Sequence, residues 1–140
     1  MEALPGVVVL ILSLLGCGVA VYKSVEWAMS GELPRNGGIG IRTRATQVSV
    51  EAWRAGHEAA LPAARKAFRI GCVGAGIGVL VLVVLLVADL PILLGMIAPG
   101  ICQLVQLGYV GYAVSVANRA ARAVTASGAG SAADSMFGEA

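Results

Sequence analysis

Three stretches of this chain carry no charged residue: Ala3–Tyr22, Ile70–Ala88 and Leu90–Ala117. Each is almost wholly apolar and holds 19 residues or more. An α-helix rises about 1.5 Å per residue, so about 20 residues cross a hydrocarbon core of about 30 Å. The pattern predicts three membrane-spanning helices, over residues 3–22, 68–88 and 92–117. Asp89 and Pro91 mark a short turn between the second and third. Pro99-Gly100 should delay or kink the start of the third. The long polar interval, residues 23–67, forms a loop, and the Ser-, Ala- and Gly-rich stretch 125–140 lacks apolar periodicity and is expected to be disordered.

Periodicity changes character inside the loop. Gly31-Glu32-Leu33-Pro34 breaks an extension of the first helix, and Asn36-Gly37-Gly38 is a turn signal. Ile39-Gly40-Ile41-Arg42-Thr43 reads as extended chain. Thr46 or Ser49 can then cap a helix, Ser49 the better placed because Glu51 falls in its first turn. That helix should run over Val50–Ala60 with Val50, Trp53 and His57 on one face. Arg54 and Glu58 are spaced for an ion pair on another face. Pro62 suits the first turn of a separate segment leading into the second span. The expected fold is therefore an all-α membrane protein: three transmembrane helices and a long cytoplasmic loop containing a short amphipathic helix.

Composition supports the membrane reading. Apolar residues make up 58% of the chain and charged residues 13%, with a mean hydropathy of +0.84, far from the balance of a soluble domain. Charge placement adds orientation. Lys23, Arg35, Arg42, Arg44, Arg54, Arg65, Lys66 and Arg69 all lie between the first and second spans, and Arg119 and Arg122 follow the third. The N-terminus and the second turn carry only Glu2 and Asp89. By the positive-inside rule the N-terminus lies outside and the loop and tail inside, as in a multi-pass protein of a bacterial inner membrane. Residues Met1–Pro5 hold no Lys or Arg, so the first span is expected to be retained and not cleaved as a leader.

The spans carry packing signals more than chemistry. Gly74 and Gly78 make a small-xxx-small face on the second helix, suited to packing within the chain or to a homo-oligomer. Gln103 and Gln106 share a face of the third helix, where buried amides act as interhelical glue. No Asp, Glu, Lys or Arg sits deep in a span, which argues against an ion or proton transporter. Cys17, Cys72 and Cys102 lie singly in apolar settings, and one histidine cannot build a multi-His centre. No metal, cofactor, catalytic constellation or nucleic-acid partner is expected.

Function is thus concentrated in the loop. The string Asn36-x-x-x-Gly40-Ile41-Arg42-Thr43-x-x-Thr46-x-x-Ser49-x-x-x-Trp53-x-x-x-His57, set between two membrane helices, resembles the hallmark loop of the SdpI family. These are bacterial membrane proteins named for immunity to a secreted sporulation-delaying peptide toxin. Arg44 stands where the family often has Pro. The resemblance implies a non-enzymatic membrane protein conferring peptide-toxin immunity or relaying a signal. Asn36, Gly40, Arg42, Thr43, Thr46, Ser49, Trp53 and His57 would form its ligand or partner site. Arg42 offers a planar fork for a carboxylate or phosphate, and His57 a group titrating near neutral pH. The same residues could instead close the helix bundle as a hydrogen-bonded plug, with Trp53 an interfacial anchor. Expected partners are membrane lipid and a peptide toxin or cytoplasmic regulator. Two further roles stay open: an accessory subunit of a larger membrane complex, and a lipid-headgroup-binding protein.

Overall fold

The computed structural model describes residues 3–33 and 38–137, with side chains described as far as residue 128. Three long helices account for most of it: α1 over Leu4–Ser30, α2 over Val50–Val87 and α3 over Ile97–Phe137. A 3-10 turn, Ile92–Met96, precedes α3. All three helices are long and apolar enough to cross a membrane, and at most 28% of each apolar window is buried within the chain. Residues such as Val9, Leu12, Leu80, Val83, Ile101 and Leu104 point their side chains outward. Such a surface calls for lipid as its solvent. The protein is a multi-pass membrane protein.

The helix boundaries depart from the sequence reading in three places. α1 continues beyond Tyr22 because Val25 and Ala28 extend its buried face, and it stops at Gly31, whose φ of +87° ends the helix. Among the described residues there is no separate amphipathic helix. The segment 50–60 is the beginning of a continuous α2 that runs through Pro62, so the polar interval of 23–67 contracts to residues 31–49. Pro62 removes the bond to the Glu58 carbonyl, but both residues are exposed. Ala60, Ala63, Ala64 and Ala67 are buried on either side of the proline and hold the helix on its course. α3 reaches Phe137, into the stretch 125–140 expected to be disordered. The alanines that dominate the stretch from Ala117 to Ala133 are the strongest helix formers. Pro99 falls in the first turn of α3, where its missing N–H costs nothing, and the 3-10 turn takes up the preceding residues.

The chain divides into two compact units. One comprises residues 1–23 and 63–111. Its core is Val7, Ile11, Leu14 and Ala75, with Leu82, Ile92 and Cys102 against it. Close approach here depends on glycine. A Cβ on Gly71 would stand 2.5 Å from the Leu14 carbonyl oxygen, and one on Gly74 would stand 2.6 Å from Cys102 Cβ. A Cβ on Gly78 would press on Ile11 at 2.9 Å. The Gly74–Gly78 face thus packs within the chain, against α1 and α3. Gln106 is fully buried, and its Nε2 donates to the Leu14 and Ala67 carbonyls at 3.0 and 3.2 Å. Gln103 accepts from the Ser13 hydroxyl at 3.1 Å. Both amides therefore tie α3 to its neighbours. At the turn after α2, Asp89 adopts φ +52° and the Leu90 N–H returns to the Leu85 carbonyl at 2.9 Å. That is a helix C-cap in which Asp takes the place usually held by glycine.

The other unit comprises residues 24–62 and 112–140. It contains the described part of the hallmark loop, the first turns of α2 and the later turns of α3.

Candidate functional site

Ser49 starts the site by starting α2. Its hydroxyl accepts the Ala52 N–H at 3.0 Å while its carbonyl accepts the Trp53 N–H, so it is the N-cap, as the sequence indicated. With the helix fixed there, Trp53 and His57 fall one turn apart and both are buried, 3% and 0% exposed. Their rings lie 4.2 Å apart. Val50, expected on the same face, is instead 62% exposed. The buried stripe of α2 runs Ala52, Trp53, Gly56, His57 and Ala60. Trp53 is thus a core residue and not an interfacial anchor. Arg54 and Glu58 are exposed, and no ion pair joins them among the described residues.

The loop folds down onto these two rings. Gly40 has φ +107°, and a Cβ there would meet Trp53 Cη2 at 2.9 Å and His57 Nε2 at 3.1 Å. Glycine is required twice over, by backbone conformation and by space. The next residue explains the histidine. The Ile41 N–H donates to His57 Nε2 at 2.9 Å, and His57 Nδ1 lies 2.8 Å from the Trp53 carbonyl. A backbone N–H can only donate, so Nε2 is the acceptor and the single ring proton sits on Nδ1, donated to Trp53. Burial pushes the imidazole below its ordinary pKa, against a smaller opposing pull from the Trp53 carbonyl. His57 is therefore neutral at physiological pH, with both nitrogens engaged by main chain.

Thr46 and Thr43 complete the seat. The fully buried Thr46 hydroxyl donates to the Ile41 carbonyl at 2.7 Å and accepts the Thr43 N–H at 3.0 Å. It thereby satisfies main-chain groups that form no ladder or helix bond. The Thr43 hydroxyl donates to Asn118 Oδ1 on α3. Gly56 admits the contact between α2 and α3, since a Cβ there would lie 3.0 Å from Thr46 Cγ2 and 3.2 Å from the Ala117 carbonyl. Arg42 is exposed, and Gln47, with its amide oriented to accept, meets Arg42 Nε and Nη2 at 3.0 Å each.

Among the residues singled out from sequence, Gly40, Thr43, Thr46, Ser49, Trp53 and His57 converge, and Arg42 borders them. Asn36 lies outside the described residues. Gly74, Gly78, Gln103 and Gln106 belong to the first unit and serve helix packing there. Asn118, Gln47 and Gly56 were not anticipated. Nothing in the sequence around Asn118 marks it as a partner of the loop.

A family model, described as the SdpI/YfhL protein family, matches residues 32–110, more than half of the chain. The chain belongs to the SdpI/YfhL family. The matched interval contains the whole hallmark string and all of α2, together with the turn and the start of α3. Neither a curated relative nor a solved structure gives a match to this chain.

Proposed function

We propose that this SdpI/YfhL member is a non-enzymatic bacterial inner-membrane protein that confers resistance to a membrane-targeting peptide or relays its presence. The observation that carries this reading is the seat itself: Gly40, Ile41, Thr46 and Trp53, from the string that resembles the family's hallmark loop, close around the buried His57. A loop serving only as a connector has no use for a glycine at φ +107° pressed on two aromatic rings. In this reading the apolar helices meet the peptide within the bilayer. The loop, with Arg42 at its exposed edge, is the surface a regulator would read. His57 has both nitrogens engaged by main chain, which suits an organising group better than an acid–base catalyst.

The testing experiment compares survival and transcription in cells with and without the gene after exposure to peptides secreted by the same organism. The expected result is sensitisation in the deletion strain, restored by the wild-type gene but not by a Gly40→Val variant that reaches the membrane. Unchanged survival and transcription, together with stable residence in a larger complex, would instead make the chain an accessory subunit. That alternative has less to stand on, because Gly74 and Gly78 already face Cys102 and Ile11 of the same chain.

A further inference from the structure

Arg44, two residues beyond Arg42 in the loop, and Arg122 on α3 line one open groove of about 510 Å³. Ala45, Val48, Thr125 and Ala126 complete it. Neither guanidinium has an ion pair or hydrogen bond among the described residues. The Thr125 hydroxyl is committed to the Ala121 carbonyl at 3.0 Å, so the two arginines are the groove's donors. Two unpaired cations on one groove repel each other until an anion joins them. A guanidinium fork fits phosphate oxygens bidentately.

The walls narrow the choice of anion. Val48 is 58% exposed, and Ala45 and Ala126 give further apolar surface. A small soluble anion would satisfy the arginines and leave that surface in water. Depth narrows it again. Arg122 lies five residues past Ala117, the end of the predicted third span, about 7.5 Å farther along the helix. That is the thickness of the headgroup layer on one side of a bilayer.

We infer that this groove holds the headgroup of an anionic phospholipid. Its phosphate bridges Arg44 and Arg122, and its glycerol and first acyl carbons run along Val48, Ala45 and Ala126. The site is separate from the Trp53–His57 seat, and it does not depend on what the protein's biological ligand is.

The test uses the full chain, delipidated in mild detergent and titrated with short-chain phosphatidylglycerol, phosphatidylcholine or inorganic phosphate. Phosphatidylglycerol should bind at least tenfold more tightly than phosphatidylcholine. Arg44→Ala and Arg122→Ala should each weaken it about fivefold, and the double variant about thirtyfold, at an unchanged melting temperature. Arg65→Ala, at an exposed arginine on α2 that does not line the groove, should leave affinity unchanged. Equal binding of the two lipids, or full affinity in the double variant, would overturn the inference. Inorganic phosphate binding as tightly as phosphatidylglycerol would overturn it too, by showing a free-anion site indifferent to the apolar wall.

Discussion

The Thr43 hydroxyl donates to Asn118 Oδ1 across 75 residues of sequence, fastening the hallmark loop to α3. Asn118→Leu removes the acceptor and should cost about 1 kcal/mol of stability, whereas Asn118→Asp keeps it. Combining Asn118→Leu with Thr43→Val should cost less than the two changes added together, since both remove one bond. Thermal unfolding of the four proteins in one detergent reads this directly, and strict additivity would mean the bond contributes nothing.

Gly40 and Gly38 make a matched pair of tests two residues apart. Ala at position 40 must hold φ near +107° and push against Trp53 and His57, at a cost of about 2 kcal/mol or more. Ala at position 38 meets nothing within 4 Å and should be nearly neutral. Protease resistance of the loop in membranes should separate the two variants. Equal resistance would show that the loop does not rest on the rings.

His57 gives the seat a pH dependence of known sign. Its folded pKa is lowered, chiefly by desolvation, so between that value and the ordinary 6.5 the unfolded chain binds the extra proton. The stabilisation is fully present above pH 6.5 and is lost as pH falls toward the folded value. Protonation would also aim a second N–H at the Ile41 N–H. Melting temperature should therefore drop between pH 7.5 and 5 in the wild type, with a distinctly shallower slope in His57→Phe, even if that variant is less stable throughout. Identical slopes would place the pH response elsewhere.

Helix packing in the first unit can be probed through two glycines of α2. Gly71→Ala brings a methyl within 2.5 Å of the Leu14 carbonyl and 2.6 Å of Gln106 Nε2, whereas Gly76→Ala meets nothing within 4 Å. The first should lower yield and melting temperature sharply, and the second should leave both within error.

The three spans were legible because uninterrupted apolar windows have one reading in a lipid solvent, and Ser49 because a capping hydroxyl works locally. Most of the seat was legible as a spacing, since Gly40, Thr43, Thr46, Trp53 and His57 are near neighbours in the chain. The continuity of α2 was not. Pro62 breaks a helix by local rules, and only the burial of the flanking alanines outweighs it. Nor was the exposure of Val50, because helical spacing alone does not say where a buried stripe is centred. Asn118 was out of reach for a different reason: a partner 75 residues away leaves no mark on the loop.

The orientation that the positive-inside rule predicts is open to direct measurement. In a background with Cys17, Cys72 and Cys102 replaced, a cysteine at Asp89 should react with an impermeant thiol reagent in intact cells. One at Val48, exposed in the loop, should not. The reverse pattern would invert the topology.

The cap after α2 has a consequence for how the protein sits in its bilayer. Glycine would close that turn with less backbone strain, but it could be drawn into hydrocarbon with its neighbours Ala88 and Leu90. Asp89 cannot follow without carrying a carboxylate inward, at about 3 kcal/mol on insertion scales. The turn therefore acts as a float. It would hold the end of α2 and the Ile92–Met96 turn at the waterline, and with them the depth of the apolar side chains of the first unit.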